Sequence, residues 1–230
     1  MSRPMSLPHL FINAAMSADG KIASRLREQF KLSGEEDFAR VDRLRAESDA
    51  IMVGVGTLLA DNPSLTVKSE KLRETRRRKG LQENPARIVV DSRARTPPDA
   101  DLFKKGSGER IIITSQAADK DKIERLRERA TIITAGERRV DLRKAVEELE
   151  RLGYQRIMVE GGATLNWSLI EEGLISEIYT FISNQIIGGA TAPTLVDGTG
   201  YTTPEETTKL KLESIEPLDK GILLKWQIQR

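Results

Sequence analysis

Four short clusters in this sequence of 230 residues carry side chains and backbone suited to a phosphorylated ligand. Gly54-Val-Gly-Thr57 precedes Asp61-Asn62-Pro63. Two glycines let a backbone approach a ligand closely, and Thr57 with the amides after it can hold phosphate or amide oxygens. Leu59 stands where a G-x-G-x-x-G pattern needs its last glycine, so a tight-turn role for these glycines is equally open. Asp91-Ser92-Arg93-Ala94-Arg95 joins two guanidiniums to a hydroxyl, which suits a phosphate monoester such as the 2′-phosphate of NADP. A solvated loop explains that cluster as simply. Thr114-Ser115 adds two small hydroxyls. Glu160-Gly-Gly-Ala-Thr164 places glycines where a strand runs into a helix, so free amides could meet a pyrophosphate. Glu160 is badly placed for packing there and well placed for a substrate hydroxyl or proton.

What is missing narrows the chemistry further. The chain has no cysteine and one histidine, His9. Disulfide scaffolds, zinc ribbons, thiol nucleophiles and the zinc deaminase signature are therefore excluded. A Ser-His-Asp site would have to form around His9, and no metal centre is expected. Chemistry carried by a bound organic cofactor stays open. Net charge is +2, although Lys71 to Lys79 holds six basic residues and one acid. That run reads as a solvated excursion rather than a nucleic-acid arm, because no aromatic side chain is interleaved to stack on bases. No nucleic-acid partner is expected. The longest nearly apolar run, Ala50 to Ala60, is far short of the roughly 20 residues that span a bilayer. Residues 5–18 are interrupted by Pro8, His9 and Asn13, against an export signal. The expected setting is the cytoplasm, with no membrane partner.

Apolar periodicity supplies the elements that must position these clusters. Strands are predicted at Leu10–Ala15, Ala50–Gly54, Arg87–Asp91, Arg110–Thr114, Thr131–Thr134, Arg156–Glu160 and Ile178–Ile187. Ser33-Gly-Glu-Glu36 reads as a capping box, opening a helix with Phe38, Val41 and Leu44 on one face. Charged residues from Asp119 to Arg129 predict another helix, and Asp141 caps one carrying Leu142, Val146 and Leu149. A further helix follows Gly162 through about Glu172. Alternation in Leu210–Leu212 and Ile222–Ile228 predicts antiparallel strands at the end. The fold expected is α/β: a mixed, mostly parallel sheet with an antiparallel C-terminal part and helices on both faces. No linker divides the chain, so residues 1–230 read as a single domain.

Five segments together resemble one family. They are Phe11-Ile-Asn-Ala-Ala-Met-Ser-Ala-Asp-Gly-Lys-Ile22, Arg43-Leu-Arg-Ala-Glu47, Gly54-Val-Gly-Thr57 with Asp61-Asn-Pro-Ser-Leu-Thr66, Val90-Asp-Ser-Arg93, and Glu160-Gly-Gly-Ala-Thr164. Over residues 8 to 228 the chain resembles the riboflavin-pathway pyrimidine reductases, most of all the free-standing archaeal type acting on 2,5-diamino-6-ribosylamino-4(3H)-pyrimidinone 5′-phosphate. The resemblance implies a dihydrofolate-reductase-like three-layer sandwich, NADPH as cofactor (NADH remaining open) and a homodimer. It implies that Thr57 and Asp61 contact the nicotinamide half, that Ser92, Arg93 and Arg95 hold the adenosine phosphate end, and that Gly161, Gly162, Ala163 and Thr164 hold the pyrophosphate. Arg45, Leu65, Lys68 and Glu160 would meet the phosphorylated pyrimidine substrate. Glu160 would bind or protonate the opened sugar, while Asn13 and Asp61 orient it. Many bacterial relatives carry lysine where Asn13 stands, so an ammonium cannot be carried over to that position. The deaminated 5-amino-6-ribosylaminouracil 5′-phosphate, a dihydrofolate-like pteridine and, more remotely, a non-catalytic nucleotide- or nucleic-acid-binding module are the competing readings.

Overall fold

The β-branched runs assemble into one nine-stranded sheet in a computed structural model that describes residues 7–229. Residues 5 and 6 of the apolar stretch 5–18 lie outside the described residues. The strands are β1 (His9–Met16), β2 (Ala50–Gly54), β3 (Ala86–Val90), β4 (Arg110–Thr114), β5 (Thr131–Thr134), β6 (Arg156–Val159), β7 (Ile175–Ile182), β8 (Leu210–Leu218) and β9 (Gly221–Ile228). Their spatial order is β5-β4-β3-β2-β6-β1-β7-β9-β8. The first seven run parallel; β9 is antiparallel to both β7 and β8. From β2 the chain winds outward to β5, then returns to set β6 between β2 and β1. In open α/β sheets such a reversal makes a ligand crevice at the strands' carboxyl ends.

Seven α-helices accompany the sheet: α1 (Glu35–Glu47), α2 (Val55–Asp61), α3 (Glu70–Arg78), α4 (Asp101–Lys104), α5 (Lys120–Arg127), α6 (Leu142–Arg151) and α7 (Ala163–Glu171). On one face, Leu142, Val146 and Leu149 of α6 and Leu169 of α7 pack on Leu10, Ile12 and Met52. On the other, Leu58 of α2, Leu102 of α4 and Leu126 of α5 pack on Ile51, Val53 and Ile112. Leu44 of α1 covers Phe11 and Met158 on that second face. Full burial of each such side chain contributes about 1.5–3 kcal/mol, so the sheet holds the loops above it firmly. The α/β expectation, with helices on both faces and an antiparallel finish, is met.

Four local expectations change. Gly54-Val-Gly-Thr57 is not an open glycine loop: α2 starts at Val55, held by buried Val55 and Leu58 one turn apart. The basic run is helix α3, capped by Ser69, whose Oγ accepts from the Leu72 amide. Its Arg76 is buried and donates to the carbonyls of Ala46, Ser48 and Gln82, while Arg77 pairs with Glu70, Glu74 and Glu83. The strand expected at Ile178–Ile187 begins earlier and stops at Ile182. Its partner β1 ends at Met16, and the amides of Ile187 and Gly188 go to the Asp19 carboxylate instead (3.0 and 2.7 Å).

The fourth change concerns the start of α1. No capping box forms. Ser33 donates to Asp37 Oδ2 (2.5 Å), and the helix cap is Asp219 from the β8–β9 turn, accepting from the amides of Glu36 (3.2 Å) and Asp37 (2.9 Å). A Cβ on Gly34 would lie 2.3 Å from the Asp219 carboxyl carbon, so only glycine admits this cap. Phe38, expected in the core, is half exposed. Asp219→Ala is expected to cost about 1 kcal/mol, the usual worth of an N-cap. For a chain of this size that lowers Tm by about 2–4 °C in a calorimetric scan; an unchanged Tm would remove Asp219 from this role.

Candidate active site

Strand parity decides which side chains meet. Phe11 pairs with Met158 and Ile12 with Val159, and Met52 pairs with Val159. One residue further on, Glu160 stands just past the tip of β6 and beside Asn13, which lies midway along β1, both on the face of Phe11 and Met158, which α1 covers. Both line a cleft of about 1880 Å³ over the crevice. Pockets for one small molecule measure about 300–1000 Å³, so this cleft has room for a dinucleotide and a second ligand.

Helix α1 furnishes the polar groups of one end. Arg45 Nε and Nη2 donate to Glu160 Oε1 and Oε2 at 2.6 and 2.7 Å, and Arg45 Nη1 donates to the Thr66 carbonyl. The side chains of this bidentate pair are only 17% and 13% exposed. Burial works against the charge of Arg45, and Glu160 more than offsets it, holding the guanidinium above its ordinary pKa. Both oxygens of Glu160 are thus engaged as acceptors, which fixes the carboxylate in place at the cleft wall. Buried Asp42 takes the amides of Lys68 (2.6 Å) and Ser69 (2.7 Å), fastening the 63–69 loop to α1. Lys68 Nζ donates to Ser64 Oγ and Thr66 Oγ1, and burial, with Arg45 and Lys105 nearby, lowers its pKa. Lys68 and Arg45 thus form a cationic corner in the cleft. Leu65 does not join them: its side chain is buried in the cluster with Val53 and Leu58.

The opposite end is built from loops after β3 and β5. Ser92, Arg93 and Arg95 line the cleft, and Ser92 Oγ accepts from the Val140 amide at 3.0 Å. That bond brings Arg138 and Arg139 to the same wall. Asp91 is fully buried and spends its carboxylate on Thr96 and Arg95, shaping the loop rather than facing a ligand. Between the two ends sit Thr57 and Asp61 of α2 and the segment Gly161–Thr164. Gly162 caps α7 with no side-chain bond, which leaves the helix's first amides open toward the cleft. A Cβ on Gly162 would lie 2.9 Å from Thr57 Oγ1, so the two helix starts touch here. Asp61 Oδ2 accepts from Gln29 Nε2 (2.6 Å), and burial raises the Asp61 pKa.

One cleft therefore gathers every expected site residue except Leu65. Sequence reasoning missed Asp42, Arg138 and Arg139. Two acids among the apolar positions of α1 could have pointed to Asp42; the arginines were brought in by tertiary structure alone. Among the described residues no group of acidic or histidine side chains is arranged to hold a metal ion, and no helix is long and apolar enough to cross a membrane.

This architecture has counterparts among known proteins. The chain is 43% identical over 223 residues to the 2,5-diamino-6-ribosylamino-4(3H)-pyrimidinone 5′-phosphate reductase of Archaeoglobus fulgidus, covering 97% of this chain and 99% of that one. A pyrimidine reductase-like protein from Corynebacterium diphtheriae superposes with a TM-score of 0.83 at 20% identity, over 97% of this chain and 92% of that one. Dihydrofolate reductase from Enterococcus faecalis superposes with a TM-score of 0.51 at 10% identity, over 96% and 97% of the two chains. The fold is dihydrofolate-reductase-like. The RibD C-terminal domain family matches residues 8–224, and the chain belongs to that family.

Proposed function

We propose that this chain reduces 2,5-diamino-6-ribosylamino-4(3H)-pyrimidinone 5′-phosphate to its ribitylamino product in riboflavin biosynthesis, with NADPH as reductant. As a member of its family it is an oxidoreductase, and its relative's name describes this reaction. The observation that carries the reading is the two-ended cleft, with a Lys68–Arg45 corner for the substrate phosphate and an arginine wall for the cofactor. The open amides of α7, Thr57 and the wall of Ser92, Arg93, Arg95, Arg138 and Arg139 fit NADPH, whose phosphates are anionic at both places. A nicotinamide held by these groups would supply the hydride that reduces C1′ of the ring-opened sugar imine. The chain's own groups align that carbon and exclude water. Glu160 accepts from a sugar hydroxyl, and Asn13 lies beside it on the neighbouring strand β1. Asp61, whose pKa burial raises, lines the cleft between its two ends and would help orient the sugar.

The chain alone, with NADPH and the diaminopyrimidinone ribotide, should lose NADPH absorbance stoichiometrically with ribitylamino product. The deaminated ribotide, dihydrofolate and NADH are the comparison arms. No turnover with the diaminopyrimidinone, or faster turnover with the deaminated compound, would reject this reading. The double variant Arg138→Met/Arg139→Met should raise the KM for NADPH about tenfold and leave that for NADH unchanged, since a charge-assisted bond to the 2′-phosphate is what is lost. Equal effects on both cofactors would remove these arginines from the 2′-phosphate site.

A homodimer is part of the reading. The sheet ends on β8, an edge strand whose Leu210, Leu212 and Ile215 are exposed, and a second copy of the chain would cover this apolar strip. Light scattering on the purified chain tests it. A cysteine-free protein needs no oxidising compartment, which suits the cytoplasm.

A further inference from the structure

Arg40, on the inner side of α1, has no part in the reading above, yet it touches a residue that does. Its Nη2 donates to Asn13 Oδ1 at 2.7 Å. Its Nε donates to Asp37 Oδ1 at 2.8 Å, and Asp37 is itself held by the Ser33 hydroxyl and by the hydrogen bond its backbone N–H donates to Asp219 Oδ2. The guanidinium is therefore clamped from behind. Its Nη1 is buried without a partner, so the side chain is not there to satisfy its own donors.

A guanidinium carries donors only, so the atom of Asn13 facing it must be the carbonyl oxygen. That fixes the amide against flipping. Asn13 Nδ2 makes no hydrogen bond to the chain among the described residues, and Asn13 lines the cleft. Next to it, Glu160 has oxygens only. A sugar hydroxyl, which donates one hydrogen bond and accepts others, matches this donor–acceptor pair. We propose that Arg40 is a positioning residue that locks the Asn13 amide so that Asn13 offers only N–H donors to a hydroxyl of the substrate's sugar chain. This rests on the reductase reading, because the sugar chain is the polyhydroxylated part of that substrate.

A double-mutant cycle tests it, with kcat and KM measured for the diaminopyrimidinone ribotide and Kd measured for NADPH. Arg40→Met should lower kcat/KM for the ribotide about 10–100-fold, the scale expected when a substrate is misplaced by a fraction of a bond length or more. In an Asn13→Ala chain the same change should cost less than about 3-fold, since there is no amide left to orient. NADPH affinity should stay within about twofold throughout. Asn13→Asp keeps an acceptor for Arg40 but loses the donors, so it should fall as far as Asn13→Ala. Should Arg40→Met fail to fold, Arg40→Lys runs the same cycle with a smaller loss in the Asn13 chain and the same absence of effect in Asn13→Ala. Equal losses in both backgrounds, a parallel fall in NADPH affinity, or wild-type-like activity of Asn13→Asp would overturn the proposal while leaving the reductase reading intact. A wild-type chain that does not turn over the ribotide would overturn both.

Discussion

Arg45→Met is expected to lower kcat/KM for the ribotide on the order of 10³-fold and to destabilise the fold by about 3 kcal/mol. The physical reason is the state in which it leaves Glu160. In the native chain each partner offsets the other's desolvation, through two bonds of 2.6 and 2.7 Å. Without the guanidinium, a carboxylate that is 13% exposed keeps its burial cost and loses its compensation. The Thr66 carbonyl also loses its donor, which loosens the loop carrying Lys68. Glu160→Gln disturbs the same unit from the other side, since an amide can present only one acceptor to the two donors of Arg45. Because the two residues act together, Arg45→Met/Glu160→Gln should cost no more than the worse single change. NADPH affinity should hardly move, as the pair lies at the substrate end. Independent, multiplicative losses would show that the pair is not one functional unit, and near-normal turnover by Glu160→Gln would take Glu160 out of the site.

How much of this could be read beforehand depends on the range of the interactions. The strands of the parallel core were legible because Ile111, Ile112 and Ile113, or Ile51 and Met52, are apolar on both faces of a sheet covered twice. The helix cap at Asp141 was legible because the capping residue is local in sequence. The start of α1 was not, since its cap arrives from Asp219, 182 positions away in sequence. The same distinction runs through the site. Ligand-facing residues at strand tips could be named one by one, because a strand's end and the residue after it are set by local pattern. Their pairing could not. Arg45 and Glu160 are separated by 115 positions, and only the return of β6 beside β2 brings them together. That pairing engages both oxygens of Glu160 as acceptors. Leu65 fails for a related reason: its place in a motif says nothing of which way its side chain turns, and here it turns into the core.

Arg87→Leu should be the most damaging single change away from the cleft, and it should be felt inside it. Arg87 lies in the interior strand β3 and is fully buried, with no ion-pair partner among the described residues. Its guanidinium is instead surrounded by carbonyls of the 102–108 segment: Lys105 at 2.6 Å, Ser107 at 2.9 Å and Leu102 at 3.0 Å. Burial, with Arg110 adding its charge, pushes its pKa down to about 10, so it remains a cation at neutral pH. Two effects oppose one another on substitution. Leucine removes a buried charge and its unpartnered Nε, which is favourable. It also strips carbonyls of their donor. Arg110 still serves Leu102, Gly106 and Gly108, and Asn84 still serves Ser107, so the carbonyl of Lys105 is the one left bare at close range. A part-buried carbonyl left without its donor costs about 1 kcal/mol, and the volume of arginine that leucine does not fill leaves a cavity at the sheet face that adds roughly 2 kcal/mol. The losses win, by about 3 kcal/mol on these figures. At about 2–4 °C per kcal/mol, calorimetry should register a fall in Tm on the order of 10 °C. The consequence for catalysis follows from what leans on this segment. Gly106 packs so closely on Thr66 and Asn84 that a Cβ there would lie 2.8 Å from Thr66 Cγ2, and Asn84 holds the Val67 amide. Loosening 102–108 therefore loosens the loop that carries Thr66 and Lys68. KM for the ribotide should rise several-fold while KM for NADPH, bound at the other end, stays near its wild-type value. A change in Tm with both constants untouched would mean that Arg87 stabilises the sheet without supporting the substrate loop.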